Sequence, residues 1–169
     1  MIEIPIFKFA VRTDMFRGMG SPLNPQDFLP KKGSEKATGW DVRAADHISL
    51  RAGQYTKIPL GFRMFAPEGW WMELRPRSST FAKKRLHSLY GVIDEDYEGE
   101  CLFACQYIPD ICTLGNDLKI EFGEAIGQIV PVRRQEMIVE AITEEEYQKL
   151  VATRKFNRGA GGFGSTDKK

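Results

Sequence analysis

Apolar and polar positions along this chain recur in short blocks bounded by Gly, Pro, Asn or Asp: residues 2–11, 41–50, 55–65, 70–74, 91–93, 101–108, 118–122, 126–132 and 137–142. Blocks of this length with turn residues between them predict an all-β sandwich or barrel. One segment breaks the rhythm. Residues 144–152 carry Tyr147, Leu150 and Val151 at helical spacing behind Thr143 and Glu146, the S/T-x-x-E capping box that opens a helix. A single short helix cannot cover a parallel sheet, which argues against a βαβ fold. Residues 17–36 hold three prolines and three glycines with little periodicity and predict a long surface loop. Trp70 and Trp71 alternate in parity, which predicts one in the core and one at an interface. The chain thus reads as one β domain over residues 1–157 and a flexible Gly-rich arm over 158–169.

Composition narrows the class. A chain of 169 residues can bury roughly 70% of its unfolded surface and needs neither disulfide nor structural metal to build a core. With 24 basic against 23 acidic side chains and a net charge of +1, neither a nucleic acid nor an anionic membrane is favoured as a partner. Glu3, Pro5 and Lys8 interrupt the first apolar block, so no secretory signal is expected. No apolar run approaches the roughly 20 residues of a membrane span. Three cysteines, an odd set, point to a reducing compartment, the cytoplasm. Cys101 and Cys105 share strand parity, but Cys112 lies seven residues on and the histidines are remote, so buried thiols are expected rather than a zinc site.

Three polar segments carry candidate chemistry. The arm reads Arg158-Gly-Ala-Gly-Gly-Phe-Gly-Ser-Thr166. It offers bare backbone N–H groups, a guanidinium and two hydroxyls to a phosphate. It has the G-x-G-x-x-G letters, but no strand closely precedes it and too little chain follows for the Rossmann helix. The readings left are a plain spacer and a segment that closes over a nucleotide, with Phe163 suited to stacking on a base. The block Gly91-Val-Ile-Asp-Glu-Asp-Tyr-Glu-Gly-Glu100 runs a strand into an acidic loop, either a solvated turn or a site where Asp94 orients and deprotonates water. Arg75-Pro-Arg-Ser-Ser-Thr80 is either a polar turn or a grip on phosphate oxygens.

Taken in order, these segments resemble the five motifs of the trimeric dUTPase family, the dUTP diphosphatases. Thr38-Gly-Trp-Asp-Val-Arg-Ala44 is similar to the first, Pro76-Arg-Ser-Ser79 to the second, residues 91–100 to the third, Gly123-Glu-Ala-Ile-Gly-Gln-Ile129 to the fourth and residues 158–166 to the fifth. The resemblance implies a distorted jelly-roll barrel, one short helix near the C-terminus, and a homotrimer in which each active site is shared between subunits. It implies hydrolysis of dUTP to dUMP and pyrophosphate with Mg²⁺, which Asp41 would hold through water. Asp94 would activate the water that attacks the α-phosphorus. Ser88, Gly91, Tyr97 and Phe163 would meet the deoxyribose and base, and Arg77, Ser78, Ser79, Gln128, Arg158, Gly162, Ser165 and Thr166 the phosphates. Ser88 stands where the family has a uracil-contacting Asn, which leaves a diphosphatase for a modified deoxyuridine triphosphate as an alternative. A dCTP deaminase needs a general acid/base Glu on the next strand, where this chain has Ala104. A non-enzymatic regulator on the same fold rests on the 17–36 loop alone.

Overall fold

The apolar blocks form strands β1 (Lys8–Val11), β2 (Lys31–Lys32), β3 (Trp40–Arg43), β4 (Ile48–Leu50), β5 (Tyr55–Phe65), β6 (Trp70–Pro76), β7 (Leu86–Ser88), β8 (Gly91–Ile93), β9 (Glu100–Tyr107), β10 (Leu118–Ile120) and β11 (Ala125–Arg133). The computed structural model describes residues 4–14, 24–89, 91–112 and 114–155. The chain divides into two compact units, Met1–Arg134 and Gln135–Lys169. In the first, the strands form a four-stranded sheet β1-β5-β9-β7, a five-stranded sheet β2-β3-β11-β6-β8 and a β10-β4 ribbon. The strand pairs among the described residues are antiparallel, as short turn-linked blocks require. Together they make a mostly β, jelly-roll-like fold.

The two larger sheets face each other across one core. Ile58, Leu60 and Phe62 of β5 and Phe103 of β9 meet Val42, Leu74, Ile126 and Ile129 from the opposite sheet, all almost fully buried. At Gly127 the two sheets approach closely. A Cβ there would lie 2.9 Å from Phe103 Cδ2 and 3.2 Å from the Arg75 carbonyl oxygen, so only hydrogen lets the ring cross β11. Period-two burial along β9 turns Cys101, Phe103 and Cys105 inward. Burial pushes the Cys101 thiol up to about 12 and the Cys105 thiol to about 11, leaving both as neutral core groups, as their shared parity predicts.

Several expectations change. A second helix, α1 (Ser78–Lys84), follows β6 where a polar turn was one reading. It is seven residues long, too short to show a period. Thr80 holds it: the Oγ1 accepts from Arg77 N–H at 3.1 Å and donates to the Ile126 carbonyl at 2.7 Å, in a residue 1% exposed. Residues 24–36, the described part of the expected surface loop, contain a 3₁₀ turn (Pro25–Phe28) and β2. The turn is capped by Asn24 and Asp27, and it drives Phe28 into contact with Phe122 at 4.9 Å between ring centroids. One apolar ring with a built cap is enough to anchor a Pro-rich segment. The block 41–50 splits into β3 and β4, and Trp70 and Trp71 are both half-buried because Met72 and Leu74 take the core positions of β6.

In the second unit, α2 (Glu144–Ala152) begins at the predicted capping box, with Glu146 N–H donating to Thr143 Oγ1 and Thr143 N–H to Glu146 Oε2. The block 137–142 is not a strand, and Met137, Ile138 and Val139 are exposed. A strand needs an edge to pair with, and the described residues of this unit contain none. The Gly-rich arm lies outside the described residues. Among the described residues no helix is long and apolar enough to cross a membrane.

Candidate active site

Strand register gathers the first cluster. Gln128 on β11 stands opposite Asp41 of β3 on one side and Arg75 of β6 on the other. Arg77, just past the end of β6, forms an ion pair with Asp41, with Nε 3.1 Å from Oδ1. Gln128 Nε2 donates to the Pro76 carbonyl at 2.9 Å. Gly39 makes room for that amide, since a Cβ there would collide with Gln128 Oε1 and lie 3.2 Å from its Cβ. Ser78 and Ser79 open α1 beside Arg77. The first, second and fourth polar segments, more than 80 residues apart at their extremes, therefore meet at one end of the five-stranded sheet.

A second cluster lines a groove of about 260 Å³. Gly91, Val92, Ile93 and Asp94 form one wall, Cys101, Leu102 and Ala104 of β9 another, with Leu74, Tyr97 and Lys57 closing it. Gly91 sits directly over Leu74, its strand partner. Asp94 leaves the end of β8, and its carbonyl accepts from Tyr97 N–H at 3.2 Å in a tight turn. Tyr97 folds back over Gly99, where any Cβ would strike the ring, and its Oη donates to the Glu100 carbonyl at 3.0 Å. The turn is braced by Glu95, which accepts from Gly69 N–H at 2.9 Å and from Arg134 at 2.7 Å. A larger apolar cavity of about 340 Å³, between Phe7, Phe9, Trp40 and Met72, has no ionisable group among the described residues of its lining and offers no acid or base there.

Of the residues singled out in the sequence, Asp41, Arg77, Ser78, Ser79 and Gln128 come together, and so do Gly91, Asp94 and Tyr97. Ser88 joins neither group. It pairs with Cys105, is 5% exposed, and its Oγ is buried without a hydrogen-bond partner among the described residues. Arg158, Gly162, Phe163, Ser165 and Thr166 lie outside the described residues. The two clusters are separated within one chain. Ile93 pairs with Met72, so Asp94 falls level with Trp71, six residues before Arg77 along β6. At about 3.3 Å per residue that is on the order of 20 Å. Sequence reasoning missed Gly39, Thr80 and Lys57. Gly39 stood inside a recognised segment without a role, Thr80 looked like one more surface hydroxyl, and Lys57 at an outward parity gave no signal.

No group of three or more His, Cys, Asp and Glu among the described residues forms a metal cage. Asp41, a single carboxylate amid phosphate-type donors, fits Mg²⁺ only in the mode where one or two carboxylates share the ion with substrate phosphates and water.

The dUTPase family model matches residues 27–167, and the chain belongs to that family, an all-β class of nucleotide hydrolases. A deoxyuridine 5'-triphosphate nucleotidohydrolase from Yarrowia lipolytica is 36% identical over 147 residues, 85% of each chain. One from Rhizobium etli is 33% identical over 145 residues, 82% of this chain and 84% of the relative. Among solved structures, the dUTPase of Streptococcus mutans superposes with a TM-score of 0.65 at 26% identity, covering 78% of this chain and 98% of its own. A point mutant of the Staphylococcus bacteriophage 80alpha dUTPase with dUpNHpp shares the fold at a TM-score of 0.74 and 18% identity, covering 95% and 98%.

Proposed function

We propose that this protein hydrolyses dUTP to dUMP and pyrophosphate. The observation that carries the reading is the groove in which Asp94, the only carboxylate among the described residues of its lining, stands at the mouth of a largely apolar slot beside Tyr97. Asp94 accepts a proton from water as the water oxygen bonds to the α-phosphorus. The bond from that phosphorus to the bridging oxygen breaks, and pyrophosphate leaves. Phosphoryl transfer of this kind depends on positioning and on neutralising spread negative charge. Arg77, Ser78, Ser79 and Gln128 serve the phosphates, whose charge Mg²⁺ would neutralise, held through water by Asp41. Tyr97 packs against the deoxyribose, and Gly91 leaves the base room to lie on β8.

The separation of the two clusters supports sites shared between copies. A nucleotide at Asp94 of one subunit is out of reach of Arg77 in the same subunit, so the phosphate grip comes from a neighbour, in a homotrimer. The arm at 158–169 then closes over the nucleotide, with Phe163 on the base and Arg158, Gly162, Ser165 and Thr166 on the phosphates. The dUpNHpp carried by the bacteriophage 80alpha relative and the structural Mg(II) ion coordinated in a mutant dUTPase from phage phi11 of S. aureus are consistent with this ligand chemistry. The free thiols suit a reducing compartment such as the cytoplasm. A deaminase reading needs a general acid/base Glu at the β9 position where the groove presents Ala104. The test is product identification with Mg²⁺ and dUTP, dCTP, dTTP or UTP. Release of dUMP and pyrophosphate from dUTP is expected, and Asp94→Asn should lower kcat at least ~100-fold with nucleotide binding largely kept. Near-full activity of that variant would remove Asp94 as the base.

A further inference from the structure

Lys57 lines the groove, yet no motif includes it. It sits on β5 opposite Ala104 of β9, at an outward-facing position. The groove has two distinct ends. At one, Asp94 leaves β8 and Tyr97 lies over Gly99 and Glu100. At the other, Leu89 N–H donates to the Ala104 carbonyl at 3.0 Å, so the chain enters β8 beside Ala104 with Lys57 on the strand beyond. Ala104 is four residues along β9 from Glu100, on the order of 13 Å. That leaves length for a sugar and a base in line, and the alanine methyl leaves the space above β9 open.

The walls between the ends are Leu74, Val92, Ile93 and Leu102. The Tyr97 hydroxyl already donates to Glu100. Ser88, three residues before the third segment and expected to contact the base, is buried beside Cys105 instead. Among the described side chains of the groove, Lys57 is therefore the N–H donor without a hydrogen bond or ion pair.

We propose that Lys57 reads the 4-keto oxygen of the pyrimidine and determines base specificity at this site. The inference rests on the deoxyuridine reading of the groove. With the sugar at the Asp94 and Tyr97 end, ring position 4 is the point farthest from the glycosidic nitrogen and faces the Lys57 end. Uracil presents an acceptor there and cytosine an exocyclic amine. An ammonium has three donors and no acceptor, so it bonds the first and meets the second donor to donor. Against the apolar walls that mismatch is costly, because the cytosine amine gives up water there and gains no acceptor. Sites built to hydrogen-bond a substrate group reject analogues that lack it far better than sites selecting on size.

The experiment compares full-length wild type, Lys57→Met and Lys57→Arg. It measures kcat/KM for dUTP and dCTP with Mg²⁺, and calorimetric binding of dUMP and dCMP. Lys57→Met should lower the dUTP-to-dCTP ratio of kcat/KM about 10- to 100-fold, the factor for one charge-assisted hydrogen bond, with the loss falling on dUTP. Binding of dUMP should weaken by a similar factor while dCMP binding holds, and Lys57→Arg should keep most of the preference. An unchanged ratio overturns the inference. So does an equal loss on both nucleotides, the mark of a lysine that serves the phosphates. A wild-type protein that leaves dUTP intact overturns the deoxyuridine reading itself, which separates that failure from one at Lys57.

Discussion

Replacing Thr80 by Val removes one oxygen from the interior and keeps the shape. Thr80 is 1% exposed, and its Oγ1 makes two hydrogen bonds, from Arg77 N–H at 3.1 Å and to the Ile126 carbonyl at 2.7 Å. Ile126 lies at the register shift of β11 between Ala125 and Gly127, so its carbonyl faces α1 rather than a regular rung of the β3 ladder. Each lost bond costs about 1 kcal/mol net, and a buried carbonyl left without a donor adds about 1–3 kcal/mol. Arg77 is only half-buried, so its N–H regains water and adds little. Counting the Ile126 bond and its stranded carbonyl alone, the sum is about 2–4 kcal/mol. At roughly 2–4 °C per kcal/mol for a chain of this size, Tm should fall by about 5–15 °C. Thr80→Ser keeps the hydroxyl and loses one methyl, about 1 kcal/mol, and should melt well above the valine variant. The assay is thermal unfolding of both variants and wild type at one protein concentration, since assembly shifts Tm by mass action. A valine variant as stable as wild type, or more stable than the serine variant, would show that packing rather than hydrogen bonding holds α1 to β11.

Gly127→Ala should destabilise by about 1–3 kcal/mol through overpacking, because the new Cβ meets Phe103 at 2.9 Å and the Arg75 carbonyl at 3.2 Å, and a denaturant midpoint equal to wild type would contradict that contact. Iodoacetamide near neutral pH should label exposed Cys112 in the native protein and reach Cys101 and Cys105, whose thiols burial holds at about 12 and about 11, only after unfolding, with labelled peptides counted by mass spectrometry. Early labelling of either buried thiol would refute the inward parity of β9. Mixing Asp94→Asn protein with protein truncated after residue 157, each inactive alone, should restore part of the activity if sites are shared, whereas a persistently inactive mixture of proven mixed trimers counts against sharing. The hydrogen bonds from Thr143 hold the Glu146 carboxyl below its ordinary value, so the cap's contribution to α2 is present above the ordinary Glu range and is lost as pH falls through the lowered value. Backbone chemical shifts of Glu144–Ala152 followed from about pH 6 to about pH 3 should show the helix fraying in acid, and Glu146→Gln should flatten that response.

Local rules were enough wherever an element is specified by residues close in the chain. The alternation along 101–108 set which cysteines face inward, because strand parity needs only the strand. Thr143 and Glu146 marked the start of α2 to the residue, because a capping box closes its hydrogen bonds within one turn. The ordered polar segments named the family, and residues 91–97 already held the acid and the tyrosine of the groove. Where the partner is distant in the chain, the pattern was silent or misleading. The segment 137–142 has a strand's apolar content but forms none without an edge, and α1 exists through a bond from Thr80 to a carbonyl 46 residues away. Asp41, Arg77 and Gln128 meet only through the register of β3, β11 and β6, and the register of β8 on β6 separates Arg77 from Asp94. Lys57 shows the limit most plainly: on its own strand it is an exposed charge, and it becomes part of a groove only when β5 is laid beside Ala104. Periodicity and capping are short-range and therefore written in neighbouring residues, whereas register and the facing of two sheets follow from burying one shared core, a property of the whole chain.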